Sequence, residues 1–145
     1  MGKLDIQPGQ VFLDLGCGSG AVAAAASRYT HQIFGIDRRP EAVELCRAAL
    51  PSGFFLCGEA VDILPTLPRI DRCFIGGTNG IDEFFPLLLA QVAPDARIVA
   101  DFARLGAAAR LTHMMKQASI FKELIQINIA RGYELAGDMA LRTAN

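Results

Sequence analysis

The stretch that decides the fold is Val11-Phe-Leu-Asp-Leu15, followed at once by Gly16-Cys-Gly-Ser-Gly20. Its nearly continuous apolar run is typical of a strand that is buried on both faces of a parallel sheet. The glycines after it permit backbone conformations that other residues resist, and they let a ligand approach the main chain closely. An alanine-rich segment then predicts a helix over residues 19–29, whose first N–H groups have no partner within the helix. This order of strand, loop and helix predicts a ligand site at the carboxyl edge of a sheet.

Apolar runs and helical patterns continue to alternate along the rest of the chain, which predicts an α/β fold with a mostly parallel, seven-stranded sheet. The tail differs, because residues 121–130 alternate in polarity and residues 133–142 form a returning strand, with Arg131-Gly132 as the turn of an antiparallel hairpin. The remaining predicted elements are strands at 11–15, 32–37, 54–57, 72–75 and 97–102, and helices at 40–50, 60–64, 81–92 and 104–117.

Length and composition limit the kind of protein. The chain has 145 residues, which predicts a single domain over residues 1–145, and a hydrophobic fraction of 52% excludes a disordered protein. The net charge is −1 and the basic residues are scattered, so we expect no nucleic-acid partner. No apolar run is long enough to span a membrane, and Met1–Gln10 does not resemble a signal peptide, so we expect a cytoplasmic location.

The four cysteines do not indicate a metal site. They include no CxxC pair and have no histidine partner at the spacing of zinc ligands. Cys46 lies in a helical pattern, whereas Cys57 and Cys73 lie in patterns of buried strands, so free, buried thiols are predicted. Cys17 differs because it lies in the glycine loop.

The glycine loop is compatible with two cofactors. Gly16, Gly18 and Ala21 fit the dinucleotide fingerprint, which alone is weak evidence. Read from Asp14, the same residues fit the loop that many methyltransferases use for S-adenosylmethionine. A carboxylate at the end of a buried strand needs a charged partner, and the ammonium of S-adenosylmethionine supplies one, whereas a pyrophosphate would repel it. We therefore favour S-adenosylmethionine, bound at Asp14 and along the loop residues Gly16, Cys17, Gly18, Ser19 and Gly20.

Two further acidic residues follow strands at the same edge. Asp37 closes the second strand and can accept hydrogen bonds from ribose hydroxyls with either cofactor. Arg38 and Arg39 come next; they could indicate a 2′-phosphate, but arginines ahead of a helix are more often solvated. Glu59 and Ala60 follow the third strand and could hold an adenine, or could simply begin a helix.

Beyond the loop the chain resembles the decarboxylating precorrin methyltransferases of cobalamin biosynthesis. The resemblance rests on Gly35-Ile-Asp-Arg-Arg-Pro-Glu-Ala-Val-Glu-Leu45, Gly58-Glu-Ala60, Asp71-Arg-Cys-Phe-Ile-Gly-Gly77 and Gln126-Ile-Asn-Ile-Ala-Arg-Gly132, together with the glycine loop. The Phe-Ile-Gly-Gly and Asn-Ile-Ala-Arg-Gly segments are the more restricted ones.

This resemblance implies a Rossmann-like fold of the class I S-adenosylmethionine-dependent methyltransferases. It further implies methylation of a meso carbon of a corrin precursor, a small tetrapyrrole, with decarboxylation of an acetate side chain. The chain is also similar to an enzyme that forms homotetramers. The resemblance supports cofactor roles for Asp14, Asp37 and Glu59, for the glycine loop at residues 16–20 and for Ala60. Arg38 and Gly76 are further candidates for cofactor binding. The substrate carboxylates need cations and donors, for which the candidates are Gly77, Thr78, Asn79, Arg104 and Arg131. No catalytic residue is indicated.

Two other functions remain open from the sequence. One is a methyltransferase that acts on another small molecule or on a macromolecule. The other is a non-catalytic domain that binds the cofactor or forms an interface through the apolar helix at residues 81–92, although a helix of this pattern is more often buried in a core.

Overall fold

The computed structural model describes residues 2–101, 105–121, 130–135 and 138–143, and its helices and strands alternate as predicted. The chain divides into two compact units, Met1–Phe102 and Ala103–Asn145. The strands of the first unit are β1 (Val11–Leu15), β2 (Gln32–Asp37), β3 (Phe54–Cys57), β4 (Ile70–Ile75) and β5 (Val92–Ala100). Its helices are α1 (Ala21–Ala26), α2 (Pro40–Ala49), α3 (Ala60–Ile63) and α4 (Ile81–Gln91), and a short 3₁₀ turn spans Leu64–Thr66.

The five strands of the first unit form one parallel sheet in the order β3-β2-β1-β4-β5. The chain builds outward from β1 to β3 and then returns to the other side of β1 with β4. The gap between the carboxyl ends of β1 and β4 is therefore the point where the direction of winding reverses, which is where ligands bind in open α/β sheets.

The core explains why β1 is almost entirely apolar. Phe12 and Leu13 have no exposed surface, as expected for the central strand of a sheet that is covered on both faces. One side of the sheet packs in a cluster with α1 and α2, to which the buried side chains of Ala23, Ala26 and Val43 belong. The alanines of α1 allow that helix to lie close to the sheet, which brings its N-terminus up to the glycine loop.

Two element boundaries differ from the sequence prediction for physical reasons. Helix α1 begins at Ala21 and not at the predicted residue 19 because Gly20, with φ of 85°, takes a left-handed conformation that no helix can continue through; it ends at Ala26, where residues 27–29 form a turn. Strand β5 begins at Val92, five residues earlier than predicted, although it contains Pro94. The strand tolerates a proline because it lies at the edge of the sheet and its register against β4 shifts between Ile70 and Arg72.

The second unit contains α5 (Leu105–Gln117), β6 (Ala130–Leu135) and β7 (Asp138–Thr143). The last two strands pair antiparallel, so an antiparallel hairpin at this end of the chain is confirmed, but the single returning strand predicted over residues 133–142 is divided between β6 and β7. The seven strands of the described residues lie in one sheet of five and one of two. The predicted turn at Arg131-Gly132 is wrong, because Arg131 pairs with Arg142 and Gly132 with Leu141 inside the ladder. Residues 136–137, between the two strands, lie outside the described residues. The strand predicted over residues 121–130 lies almost wholly outside the described residues.

The cysteines are free thiols, as predicted, but they are not all buried. Cys17, Cys46 and Cys73 are buried, whereas Cys57 is exposed. The prediction failed for Cys57 because β3 is an edge strand, so the apolar appearance of the run does not imply cover on both faces. Within the described part of the chain there is no group of three or more histidine, cysteine or acidic side chains that could hold a metal ion. The same part contains no helix long and apolar enough to cross a membrane.

Candidate functional site

The glycine loop after β1 is tied to the strands on either side of it. The backbone N–H groups of Gly16 and Cys17 both donate to the carbonyl of Ile36 in β2, at 2.8 and 3.1 Å. The N–H of Gly76, just after β4, donates to the carbonyl of Leu15 at 2.8 Å. The loop is therefore a fixed part of the sheet edge and not a freely moving segment.

Gly16 and the Gly76-Gly77 pair are in backbone contact across the gap between β1 and β4. Gly16 has φ of +83°, and a Cβ at this position would lie 2.9 Å from the backbone nitrogen of Gly77. A Cβ on Gly76 would lie 3.0 Å from the carbonyl oxygen of Gly16. Both positions need glycine because the two loops touch, a reason that the sequence motif alone does not reveal.

Replacing Gly16 with alanine should destabilise the fold, and Gly77→Ala is the matched control. The left-handed backbone costs an alanine about 1–2 kcal/mol, and relieving the backbone contact adds to this, so we expect a total loss of about 2–4 kcal/mol for Gly16→Ala. A Cβ on Gly77 meets nothing closer than the Cα of Gly16 at 3.9 Å. Gly77→Ala should therefore stay within about 0.5 kcal/mol of the wild type. Urea unfolding measures both, and equal losses would contradict the role of the contact.

Asp37, at the carboxyl end of β2, is buried and fully hydrogen-bonded. Its Oδ1 accepts hydrogen bonds from the backbone N–H of Arg39 at 3.0 Å and from the Arg39 Nε at 3.1 Å. Its Oδ2 accepts from the N–H of Gly18 at 3.1 Å and from the Arg39 Nη2 at 3.2 Å. Burial alone would raise the pKa of Asp37, but these hydrogen bonds outweigh it and lower the pKa below its usual range. The carboxyl is therefore ionised at neutral pH.

Asp14, in β1, is the opposite case. It is 1% exposed, and its Oδ2 has no hydrogen-bond partner among the described residues. Burial raises its pKa to about 7; a hydrogen bond from the backbone of Ala23 opposes this shift and the charge of Asp37 adds to it. A buried carboxyl that lacks a partner is costly in the charged form. The Oδ2 of Asp14 can therefore accept a hydrogen bond from a cation without displacing another partner.

A cavity of about 460 Å³ opens at this edge of the sheet. Its volume is within the range of sites for small molecules and cofactors. Three acidic residues line its wall: Asp37 at the end of β2, Glu59 just after β3 and Glu83 in the first turn of α4. Two basic residues, Arg38 and Arg39, line it as well.

The structure places half of the predicted site residues on the wall of this cavity. These are Gly16, Asp37, Arg38, Glu59, Ala60, Gly76, Gly77 and Asn79. Glu59 stands at the N-cap position of α3 without a side-chain capping hydrogen bond, so it begins a helix, and its role towards an adenine stays a prediction.

The other predicted residues do not line the cavity or cannot be placed in it. Asp14, Cys17, Gly18, Ser19, Gly20 and Thr78 are absent from its wall. The carbonyl of Thr78 accepts the N–H of Ile81 at 3.1 Å, which makes it part of the turn that begins α4. Arg104 lies outside the described residues, and Arg131 lies in β6 of the second unit, so their roles stay predictions.

Sequence reasoning missed several residues on the cavity wall. Glu83 and Phe84 belong to the first turn of α4, and Leu15 and Ile36 are the ends of neighbouring strands. The signal that could have found them is topological, because the helix after β4 begins at the same edge as the glycine loop. Arg39 was expected to be solvated, but it is bonded to Asp37 although its side chain is 61% exposed.

The thiols behind the loop have a structural role. Cys17 is buried against the sheet, and the Cys46 thiol donates to the carbonyl of Gly18 at 3.4 Å. Burial raises the pKa of both thiols, which keeps them protonated at neutral pH. Cys17 therefore contributes packing under the loop, while its N–H donates to Ile36 and its carbonyl accepts from Gly20.

Comparison with known proteins identifies the family. The sequence matches the family model of the precorrin methyltransferase domain over residues 1–145. The chain belongs to the precorrin methyltransferase domain family. It is accordingly an enzyme of the methyltransferase class, which confirms the resemblance seen in the sequence.

Individual relatives agree with this family. A probable cobalt-precorrin-6B C(15)-methyltransferase (decarboxylating) of Archaeoglobus fulgidus is 34% identical over 145 residues, which cover 99% of this chain and 85% of that protein. The crystal structure of precorrin 8W decarboxylase from Methanobacterium thermoautotrophicum matches with a TM-score of 0.89 at 24% identity, covering 100% and 82% of the two chains. An S-adenosylmethionine-dependent methyltransferase of Thiobacillus denitrificans, solved with S-adenosyl-L-homocysteine, matches with a TM-score of 0.59 at 21% identity, covering 77% and 52%. The Rossmann-like fold predicted from the sequence is thereby confirmed.

Proposed function

We propose that this precorrin methyltransferase domain transfers a methyl group from S-adenosylmethionine to a meso carbon of a corrin precursor and decarboxylates an acetate side chain of the same ring. The observation that carries the proposal is the match to the family along the whole chain, joined to a cavity at the winding reversal of the sheet. The relatives named for cobalt-precorrin-6B and its C15 position support this substrate and this carbon.

The residues present fit S-adenosylmethionine. Asp37 holds the ribose hydroxyls from the end of β2, and Glu59 with Ala60 holds the adenine from the end of β3. Asp14 attracts the ammonium of the methionine part, because its buried Oδ2 lacks a partner. Since Asp14 is buried and does not line the cavity, the ammonium interacts with it through a bridging water.

The charge of the site agrees with this cofactor. S-adenosylmethionine carries a sulfonium and an ammonium against one carboxylate. The cavity wall carries three acidic residues against two arginines, which leaves it with a net negative charge. When bound, the cofactor supplies an electrophilic methyl group. The contribution of the protein is position, since a methyl transfer from sulfur requires mainly that donor and acceptor are held in line.

The substrate would approach over the loop that follows β4. Gly77, Thr78 and Asn79 belong to this loop, and Gly77 and Asn79 line the cavity. Arg104 and Arg131 remain our candidates for the carboxylates of the tetrapyrrole, because guanidinium groups bind carboxylates in a bidentate manner.

Incubation with a corrin precursor that has an unmethylated meso carbon and an acetate side chain tests this function. With S-adenosylmethionine labelled in its methyl group, we expect the label in the tetrapyrrole and one carbon dioxide released for each ring methylated. Asp37→Asn serves as the control and should lower both products together. Label that stays in the cofactor, or carbon dioxide released without methylation, would refute the assignment.

The domain extent, the location and the assembly of the protein belong to the same proposal. We expect the chain to act as one catalytic domain over residues 1–145, as the extent of the family match supports. We also expect it to work in the cytoplasm and to assemble as a homotetramer. Light scattering on the purified chain measures the assembly, and a monomer at working concentration would contradict it.

A further inference from the structure

The carboxylate that is proposed to hold the ribose is already occupied. Arg39 reaches Asp37 with three donors, namely its backbone N–H, its Nε and its Nη2. With the N–H of Gly18 as the fourth, each of the two oxygens accepts two hydrogen bonds. Two acceptor sites per oxygen is the capacity of an ionised carboxylate, so a ligand cannot add to this set without displacing a member.

The four donors are not equally easy to displace. Gly18 belongs to the glycine loop after β1, which Gly16 and Cys17 tie to β2, and the N–H of Arg39 belongs to the main chain between β2 and α2. The guanidinium of Arg39, by contrast, has a side chain that is 61% exposed, while that of Asp37 is only 6% exposed. An ion pair at the surface contributes little and can exchange its partner for water. The guanidinium is therefore the member that can leave.

The guanidinium also occupies the site that a ribose would need. It places Nε on one oxygen of Asp37 and Nη2 on the other, which is the bidentate geometry of a fork of two donors. A vicinal diol offers two donors at a similar separation, one for each oxygen. Asp37 and Arg39 both line the cavity, so a ribose there and the guanidinium compete for the same pair of atoms.

We propose that Arg39 sets the cofactor affinity of this protein: its guanidinium occupies the diol-binding carboxylate of Asp37, and binding exchanges it for the two hydroxyls of a ribose. The inference rests on the proposed function, because it takes the ligand to be an adenosine. Arg39 thus selects for ligands with a complete diol, since only these replace both of the hydrogen bonds that the guanidinium gives up.

Adenosine and 2′,3′-dideoxyadenosine are the probes that test this exchange, with binding followed by NMR titration of the purified chain. Arg39→Gln removes the competing guanidinium and keeps the backbone donor. We expect it to tighten adenosine binding by about fivefold, which is the upper range for a surface ion pair. Dideoxyadenosine should gain nothing, because it does not use the carboxylate. Arg28→Gln, which removes an exposed arginine that does not line the cavity, should leave both affinities as in the wild type.

The dependence of adenosine affinity on salt concentration is a second measurement, and a role of Arg39 in packing alone would not produce it. Adenosine is uncharged, so its own contacts respond weakly to ionic strength, whereas the exposed ion pair that must open is screened. Raising potassium chloride should therefore tighten adenosine binding to the wild type relative to Arg39→Gln. Weaker or unchanged adenosine binding by Arg39→Gln, or an equal gain for dideoxyadenosine, would overturn the proposal. If the wild type does not bind S-adenosylmethionine at millimolar concentration, the proposed function itself fails, which is a separate outcome.

Discussion

Asp14→Asn should weaken the binding of S-adenosylmethionine by about a hundredfold. The change removes the charge that attracts the ammonium and keeps the shape of the side chain, and the loss of one partner from a buried charge pair costs about 2–5 kcal/mol. Isothermal titration calorimetry on the purified chain measures the affinity. Asp62→Asn removes an exposed carboxylate of α3 that does not line the cavity, so it should bind like the wild type.

The same carboxyl makes cofactor binding depend on pH. In the free protein the pKa of Asp14 is raised to about 7 by burial, but an ammonium requires the ionised form. Binding should therefore release protons near pH 7 and should strengthen as the pH rises from about 6 to about 8, because the cost of ionising Asp14 disappears above its pKa. The amino group of the ligand titrates as well, so the difference between the wild type and Asp14→Asn isolates the residue. A pH profile that is the same in both proteins would exclude Asp14 from the ammonium site.

The second large effect of Asp14→Asn is on stability: the variant should bind the cofactor more weakly but unfold less readily than the wild type. The pKa of Asp14 rises from 3.8 to about 7 on folding, which corresponds to a cost of about 4 kcal/mol for the ionised group. An asparagine would avoid this cost while it still buries a polar amide. We expect Asp14→Asn to raise the free energy of unfolding at pH 8 by about 2–4 kcal/mol, or the melting temperature by about 10 °C.

The pH dependence of this gain follows from the direction of the shift. Below pH 3.8 the carboxyl is protonated in both the folded and the unfolded state, so it does not lower the free energy of unfolding. Between pH 3.8 and about 7 the unfolded state loses its proton more readily, so the free energy of unfolding falls as the pH rises. Above about pH 7 the loss is complete and stays constant. The gain of Asp14→Asn should therefore be small at pH 4 and largest above pH 7, as thermal unfolding at several pH values would show. A variant that is less stable than the wild type at pH 8 would mean that the folded protein already pairs this charge.

The sequence predicted the sheet well because the signal is local. A continuous apolar strand that ends in glycine, as at Leu15 and Gly16, has few structural alternatives. The edges of the sheet were harder to predict. Cys57 was expected to be buried and Pro94 was not expected inside a strand, and both errors arise because edge position depends on strand order, which periodicity does not contain. The hairpin turn was misplaced because Gly132 looks like a turn residue, while pairing across the whole ladder determines the register.

The candidate site was predictable in its parts but not in its contacts. Asp37 and Glu59 follow strands, so a parallel topology brings them to one edge. The bond between Asp37 and Arg39 depends on side-chain conformation, and the missing partner of Asp14 depends on the depth of burial. Neither property is encoded in residue spacing.

The contact between Gly16 and Gly76 joins the two halves of the chemistry. The first residue belongs to the loop proposed for the methyl donor, and the second belongs to the loop that we expect to face the acceptor. The carbonyl oxygen of Gly16 lies only 3.0 Å from the position that a Cβ on Gly76 would occupy. Because the two backbones are this close, neither loop can move towards the other without displacing it. The fold therefore sets the spacing between the loop proposed for the donor and the loop expected to face the acceptor before either ligand binds.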